Sequence, residues 1–234
     1  MPSVRSGSLL AELRSLADPS ALDGMARFGI ATERALGGIP LPTLRAMGKR
    51  IGRDHTLAAE LWASGIHEAR LLAAMVDDPS QVTEEQMEAW AAAFDSWDVV
   101  DGTCSSLFDK TALAYRKAIE WSGREEEFVK RAGFVLMATL SVHDKTASDQ
   151  DFRQFFPLIE REAGDPRNFV RKAVNWALRQ IGKRNLALNR DAVALAQRIH
   201  RTGPRPARWV ASDAIRELRS EPVMRRLEAR KAKP

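Results

Sequence analysis

Apolar residues recur at steps of three and four along almost the whole chain, the spacing of one face of an α-helix, and no stretch alternates convincingly with period two. The pattern predicts helices at roughly 7–17, 20–28, 41–52, 54–64, 66–77, 83–95, 97–108, 112–122, 125–142, 149–163, 166–183, 189–202 and 205–219. Helix-end signals accompany several of them. Thr83 and Gln86 have the spacing of a capping box, Asp165-Pro166 pairs a capping acid with a first-turn proline, and Gly203-Pro204 halts the preceding helix. Loops are short, and residues 37–42, Gly-Gly-Ile-Pro-Leu-Pro, form the main irregular stretch.

The helical pattern repeats. Phe128-Val-Lys-Arg-Ala returns 41 residues later as Phe169-Val-Arg-Lys-Ala, and Trp209-Val follows 40 residues after that. Residues 66–76 read as an earlier, more degenerate copy. A period near 40 built from two antiparallel helices is the signature of HEAT and armadillo repeats. The expectation is therefore an all-α, HEAT-like/armadillo-type α-solenoid of antiparallel helix pairs with a concave basic face. It is expected to form one domain over residues 1–220, followed by a basic tail over 221–234 that frays and adds nonspecific polyanion affinity.

Certain positions break the apolar pattern in ways that packing does not require. Trp97 and Asp101 are four apart and share a helical stripe. Val170, Ala173, Val174, Ala177, Leu178 and Ile181 complete an apolar face without Trp176, which falls in line with Lys172, Arg179 and Lys183. Arg131 stands in an apolar, small-residue run and needs a partner or a ligand. On the repeat, Trp97, Asp101, Arg131 and Trp176 are expected on the concave face, with Lys172, Arg179, Lys183, Arg208 and Arg216 nearby. One carboxylate, two tryptophans and several guanidinium groups on successive helices point to an anionic ligand with a flat or sugar-like part. The plain alternative for Asp101 is an ordinary helix acid paired to a neighbouring cation. Asp98 reads as a first-turn acid favoured by the helix dipole, and Trp62, Trp90 and Trp121 read as core.

Charge sharpens this picture. Residues 1–110 hold 10 Lys/Arg against 16 Asp/Glu, a balance of −6, whereas residues 111–234 hold 26 against 15, a balance of +11. A polyanion would sit on the second half. No run approaches the ~20 apolar residues of a membrane span, and the first residues show no signal peptide. The single Cys104 excludes an intrachain disulfide and fits a reducing cytoplasm. His67-Glu68 resembles half of a metalloprotease motif, but position 71 is leucine, and the histidines lack ligand spacing. No phosphate-binding loop or nucleophile elbow appears. No metal and no cofactor are expected.

At these residues the chain resembles the AlkD-like DNA alkylation repair glycosylases, which are HEAT-like repeat proteins. The resemblance starts near residues 25–28, Met-Ala-Arg-Phe, and passes through 38–42, Ser96-Trp-Asp-Val-Val-Asp101 and Lys130-Arg-Ala to Phe169–Arg179. It implies hydrolysis of the N-glycosidic bond of cationic N3- and N7-alkylated purines in duplex DNA, without base flipping. By position, Asp101 resembles the catalytic carboxylate. Trp97 and Trp176 resemble the aromatics that pack on the deoxyribose, and Arg131 the guanidinium that holds the adjoining backbone. Arg179 matches a further DNA-contacting arginine. Phe28 stands where family members can carry tyrosine, and Ser96 where a second tryptophan can precede Trp97. The expected partner is double-stranded DNA containing alkylated purines, and the expected form is a monomer in a bacterial-type, nucleoid-associated cytoplasm. Two other readings compete, a HEAT-type binder of distorted or branched DNA and a protein–protein scaffold.

Overall fold

The computed structural model describes residues 4–30 and 33–231; residues 232–234 of the expected tail lie outside the described residues. Among the described residues every regular element is helical. Contacts group the chain into two compact units, Met1–Ala112 and Leu113–Pro234. Repeats of this kind touch chiefly their neighbours, so contact density varies along the chain.

The N-terminal unit contains α1 (Val4–Leu16), α2 (Leu22–Arg27), α3 (Leu41–Ile51), α4 (His55–Ala63), α5 (His67–Val76), α6 (Glu84–Ala92) and α7 (Trp97–Ser106). Helix α5 is its centre, packing against α3, α4 and α7. Trp62 and Trp90 are buried as expected, their rings stacked 4.0 Å apart and nearly parallel, and the Arg70 guanidinium lies 5.2 Å above Trp62. The two residues that mimic half of a metal motif have structural partners. Buried Glu68 accepts the backbone N–H groups of Leu36 and Gly37, each at 2.9 Å, which pins the irregular stretch to α5. His67 Nε2 lies 2.9 Å from Asp98 Oδ2, and Ser96 Oγ donates to the other oxygen of the same carboxylate. Asp98 thus combines its place in the first turn of α7 with a tie from α7 back to α5.

The C-terminal unit contains α8 (Ala114–Trp121), α9 (Glu127–His143), α10 (Asp149–Arg153), α11 (Phe156–Glu162), α12 (Asn168–Gly182), α13 (Leu186–Thr202), α14 (Arg205–Leu218) and α15 (Glu221–Lys231). Helix α9 packs on α12 and α12 on α14, while α8, α11 and α13 lie against them. The expected apolar face of α12 is fully buried. Equivalent positions of the repeat meet directly, with the Phe128 and Phe169 rings 5.7 Å apart. Gly133 is required where α8 approaches α9, because a β-carbon there would lie 2.5 Å from the Ser122 nitrogen.

Four local expectations need correction. The helix predicted over 149–163 is two, α10 and α11, because Pro157 has no N–H for the Arg153 carbonyl and its ring crowds that oxygen. The Thr83 box is half made: Thr83 Oγ1 accepts the Gln86 N–H at 3.2 Å, but the Gln86 side chain donates to Asp77 at 2.6 Å. Helix α12 begins at Asn168 rather than Pro166, with Asp165 accepting the Arg167 backbone N–H at 2.9 Å. The segment expected to fray forms α15, whose Val223 and Leu227 are buried by packing on α13 and α14.

Two predictions follow from these contacts. Gly133→Ala should destabilise the protein by about 1–3 kcal/mol through overpacking, read from the midpoint of chemical denaturation; an unchanged midpoint would show that α8 moves aside without cost. For the His67–Asp98 pair, burial opposes the charge of each group, but each partner outweighs that cost, so the His67 pKa is raised and that of Asp98 lowered. The Asp98 contribution is present above the ordinary carboxylate pKa and lost as pH falls through its lowered value. The His67 contribution is present below its ordinary pKa and lost as pH rises through its raised value. The stability gap between wild type and Asp98→Asn should be widest at about pH 5–6 and narrow on either side; a gap independent of pH would contradict this.

Candidate nucleic-acid interface

In the N-terminal unit the site residues are set by the start of α7. Trp97 and Asp101 lie one helical turn apart on it, both half-buried. The Trp97 indole Nε1–H donates to the Phe28 carbonyl at 3.0 Å, fixing the ring against the end of α2. Phe28 therefore contributes its backbone, while its side chain is 78% exposed. Just after Asp101 comes Gly102, where a β-carbon would lie 2.8 Å from Leu71 Cδ2. That close approach to α5 seats the helix bearing the carboxylate. Ser96, where a bulkier aromatic would stand, is fully enclosed and bonded to Asp98.

In the C-terminal unit Arg131 is only 5% exposed and donates Nη1–H to the Phe169 carbonyl at 2.7 Å. Its need for a partner is met at least in part by the first turn of the next repeat. One repeat further on, Asn175 Nδ2 donates to the Val210 carbonyl at 3.0 Å, so α9, α12 and α14 are linked successively by side chain to backbone. Along the α12 stripe, Lys172 is exposed and Trp176 half-buried. Arg179 and Lys183 both donate to Glu217 of α14, and Arg179 Nε is 3.7 Å from Asp213. Burial alone would raise the Glu217 pKa, but Lys183 and Arg179 hold it below the ordinary carboxylate range, keeping it ionised. Arg208 is exposed, and Arg216, largely in solvent, is paired with Asp213. Trp209 is partly exposed, with the Arg171 guanidinium 4.8 Å above its ring.

The cationic stripe expected from the sequence is thus present, but two of its members carry an internal counter-charge. Asp213 and Glu217 were not singled out from the sequence. The available signal was their four-residue spacing on an otherwise basic helix.

Such an arrangement can do two things. A half-buried carboxylate one helical turn from an anchored indole can stabilise a cationic centre. Exposed lysine and arginine on the repeated helices can hold phosphate groups.

Comparison with known proteins places the fold. An uncharacterised protein of Listeria innocua is 27% identical over 126 residues, covering 53% of this chain and 56% of the relative. A similar protein of Listeria monocytogenes is 25% identical with the same coverage. The chain thus spans about half the length of the curated relatives it matches. A solved structure, described as a new family related to the HEAT-like repeat DNA glycosylases with affinity for branched DNA structures, superimposes with a TM-score of 0.73. It is 19% identical and covers 82% of this chain and 81% of its own. The HEAT-like architecture is the same, and with residues 9–218 matching its defining pattern, the chain belongs to the family described as DNA alkylation repair enzyme.

Proposed function

We propose that this protein is a DNA glycosylase of base excision repair that hydrolyses the N-glycosidic bond of N3- and N7-alkylated purines in duplex DNA without flipping the base. The observation that carries the reading is the pairing of Trp97, anchored through Phe28, with Asp101 one turn further along α7.

An alkylated purine already bears positive charge and departs as a neutral base, so little acid catalysis is needed. As the C1′–N bond breaks, its electron pair goes to the purine and the sugar acquires oxocarbenium character. Asp101 stabilises that cation and accepts a proton from the water that adds to C1′. The faces of Trp97 and Trp176 favour the cationic sugar by roughly 0.5–2 kcal/mol each. Arg131 acts as the guanidinium beside the lesion. Lys172, Arg179, Lys183, Arg208 and Arg216 supply phosphate contacts, which make binding strongly salt-dependent.

A second reading is a DNA binder without excision, favoured by one observation: the structurally similar protein is described by its affinity for branched DNA.

The deciding experiment measures free-base release from a duplex carrying one N7-methylguanine. Asp101→Asn should slow release by at least about 10²-fold while leaving affinity for the duplex nearly unchanged. Wild-type release by the variant would remove Asp101 from the chemistry. Tight binding without release by the wild type would establish the binder, and neither binding nor release would leave a scaffold. A further prediction concerns the acid in the basic stripe. Glu217→Gln should tighten duplex binding and steepen its salt dependence by about one phosphate contact, as Arg179 and Lys183 lose their counter-ion. Weaker binding would instead mean that Glu217 holds these two cations in their productive positions.

A further inference from the structure

A second cationic cluster sits in the C-terminal unit where α9 and α12 end. A cleft of about 530 Å³ there is walled by Lys145, Lys183, Arg184, Arg226 and Arg230, and no carboxylate lines it. The last two arginines come from α15.

Part of this cluster serves the fold. Arg184 donates to the carbonyls of Ser141, Asp144 and Ala147 at 3.1, 2.6 and 2.8 Å, with its guanidinium 4.4 Å from the Phe152 ring. Lys145 donates to the Val142 carbonyl, and Arg230 to those of Lys183 and Arg184 at 3.3 Å. Cations at helix C-termini commonly satisfy the last carbonyls in this way. A carbonyl, however, carries no net charge, so these bonds orient the cations without neutralising them. Among the described residues only Lys183 of the five has a carboxylate within salt-bridge distance, Glu217. Arg226 is exposed and has neither a carbonyl nor a carboxylate partner among them. Its helix is nevertheless fixed, because Val223 and Leu227 are buried against the repeats. A helix packed on the repeats therefore holds an arginine with no hydrogen-bond or ion-pair partner among the described residues, at the wall of a cleft that no carboxylate lines.

We propose that α15 completes a phosphodiester site, in which Arg226 and Arg230, backed by Lys145 and Arg184, bind a backbone phosphate of the DNA that the protein engages. Guanidinium groups match a phosphate by paired N–H donors, and Gln180 at the rim adds a neutral amide. The family match ends at residue 218, before α15 begins, so this contact extends the protein beyond the region the family match covers. The inference rests on the DNA-binding reading above.

Duplex affinity measured over about 50–200 mM salt for the wild type, Arg226→Ala, Arg226→Glu and the Arg226→Ala/Arg230→Ala double variant tests it. Arg226→Ala should lower the slope of log K against log salt by about one and weaken binding about three- to tenfold. The thermal midpoint should not move, since Arg226 makes no hydrogen bond or ion pair among the described residues. Inorganic phosphate titrated into the protein alone separates a free-anion site from a backbone site. Unchanged slope and affinity in every variant, with the wild type still binding DNA, would overturn the site. Arg226-dependent binding of inorganic phosphate with unaltered DNA affinity would replace the backbone by a free anion and equally overturn it. A wild type that binds no DNA would instead defeat the DNA reading itself, and this inference with it.

Discussion

Helix α9 is buried over most of its length, yet it carries two adjacent cations near its start, Lys130 and Arg131. A buried charge is tolerated only where polar partners replace water. Lys130 finds Glu162 at 2.8 Å and Asp165 at 3.7 Å, and Arg131 finds the Phe169 carbonyl at 2.7 Å. Both sets of partners lie in the next repeat, at the end of α11 and the start of α12. The need to solvate two cations therefore fixes how α12 meets α9, beyond what the apolar faces specify. Hydrophobic stripes slide at modest cost, whereas a guanidinium aimed at one carbonyl does not.

The same logic shapes the exposed cations. A basic surface suited to DNA repels itself, and self-repulsion destabilises the compact state. Asp213 and Glu217 on α14 reduce that repulsion for Arg179, Lys183 and Arg216. Lys172 and Arg208 show no such acid among the described residues and stand in solvent. The C-terminal unit thus combines cations held in place by acids with cations left to the solvent. In the N-terminal unit the economy is reversed. There acids predominate, and Asp98 and Glu68 are spent on His67 and on backbone amides.

Much of the architecture was legible in the sequence because helix formation and repeat stacking are signalled locally. Apolar residues at steps of three and four marked nearly every helix, the recurrence of Phe128-Val as Phe169-Val revealed the repeat, and the six apolar positions of α12 are all buried. The tryptophans assigned to the core are in it. The break at Pro157 was also written locally, in a missing N–H, and the apolar spacing of the flanking residues concealed it. Val223 and Leu227 are only two apolar anchors among many charges, too few to mark α15 as a helix until α13 and α14 provide a surface.

The sequence by itself determined the helices, the repeat period, the apolar faces and the stripe on which Lys172, Trp176, Arg179 and Lys183 align, because all of these depend on positions within one or two helical turns. Only the tertiary structure decided what each polar side chain does. Glu217 meets Lys183 from 34 residues away, Phe169 meets Arg131 from 38, and Phe28 meets Trp97 from 69. No local periodicity encodes such pairings. They arise when the packing of one helix on another brings donor and acceptor together, and burial then makes an unpaired charge too costly to leave.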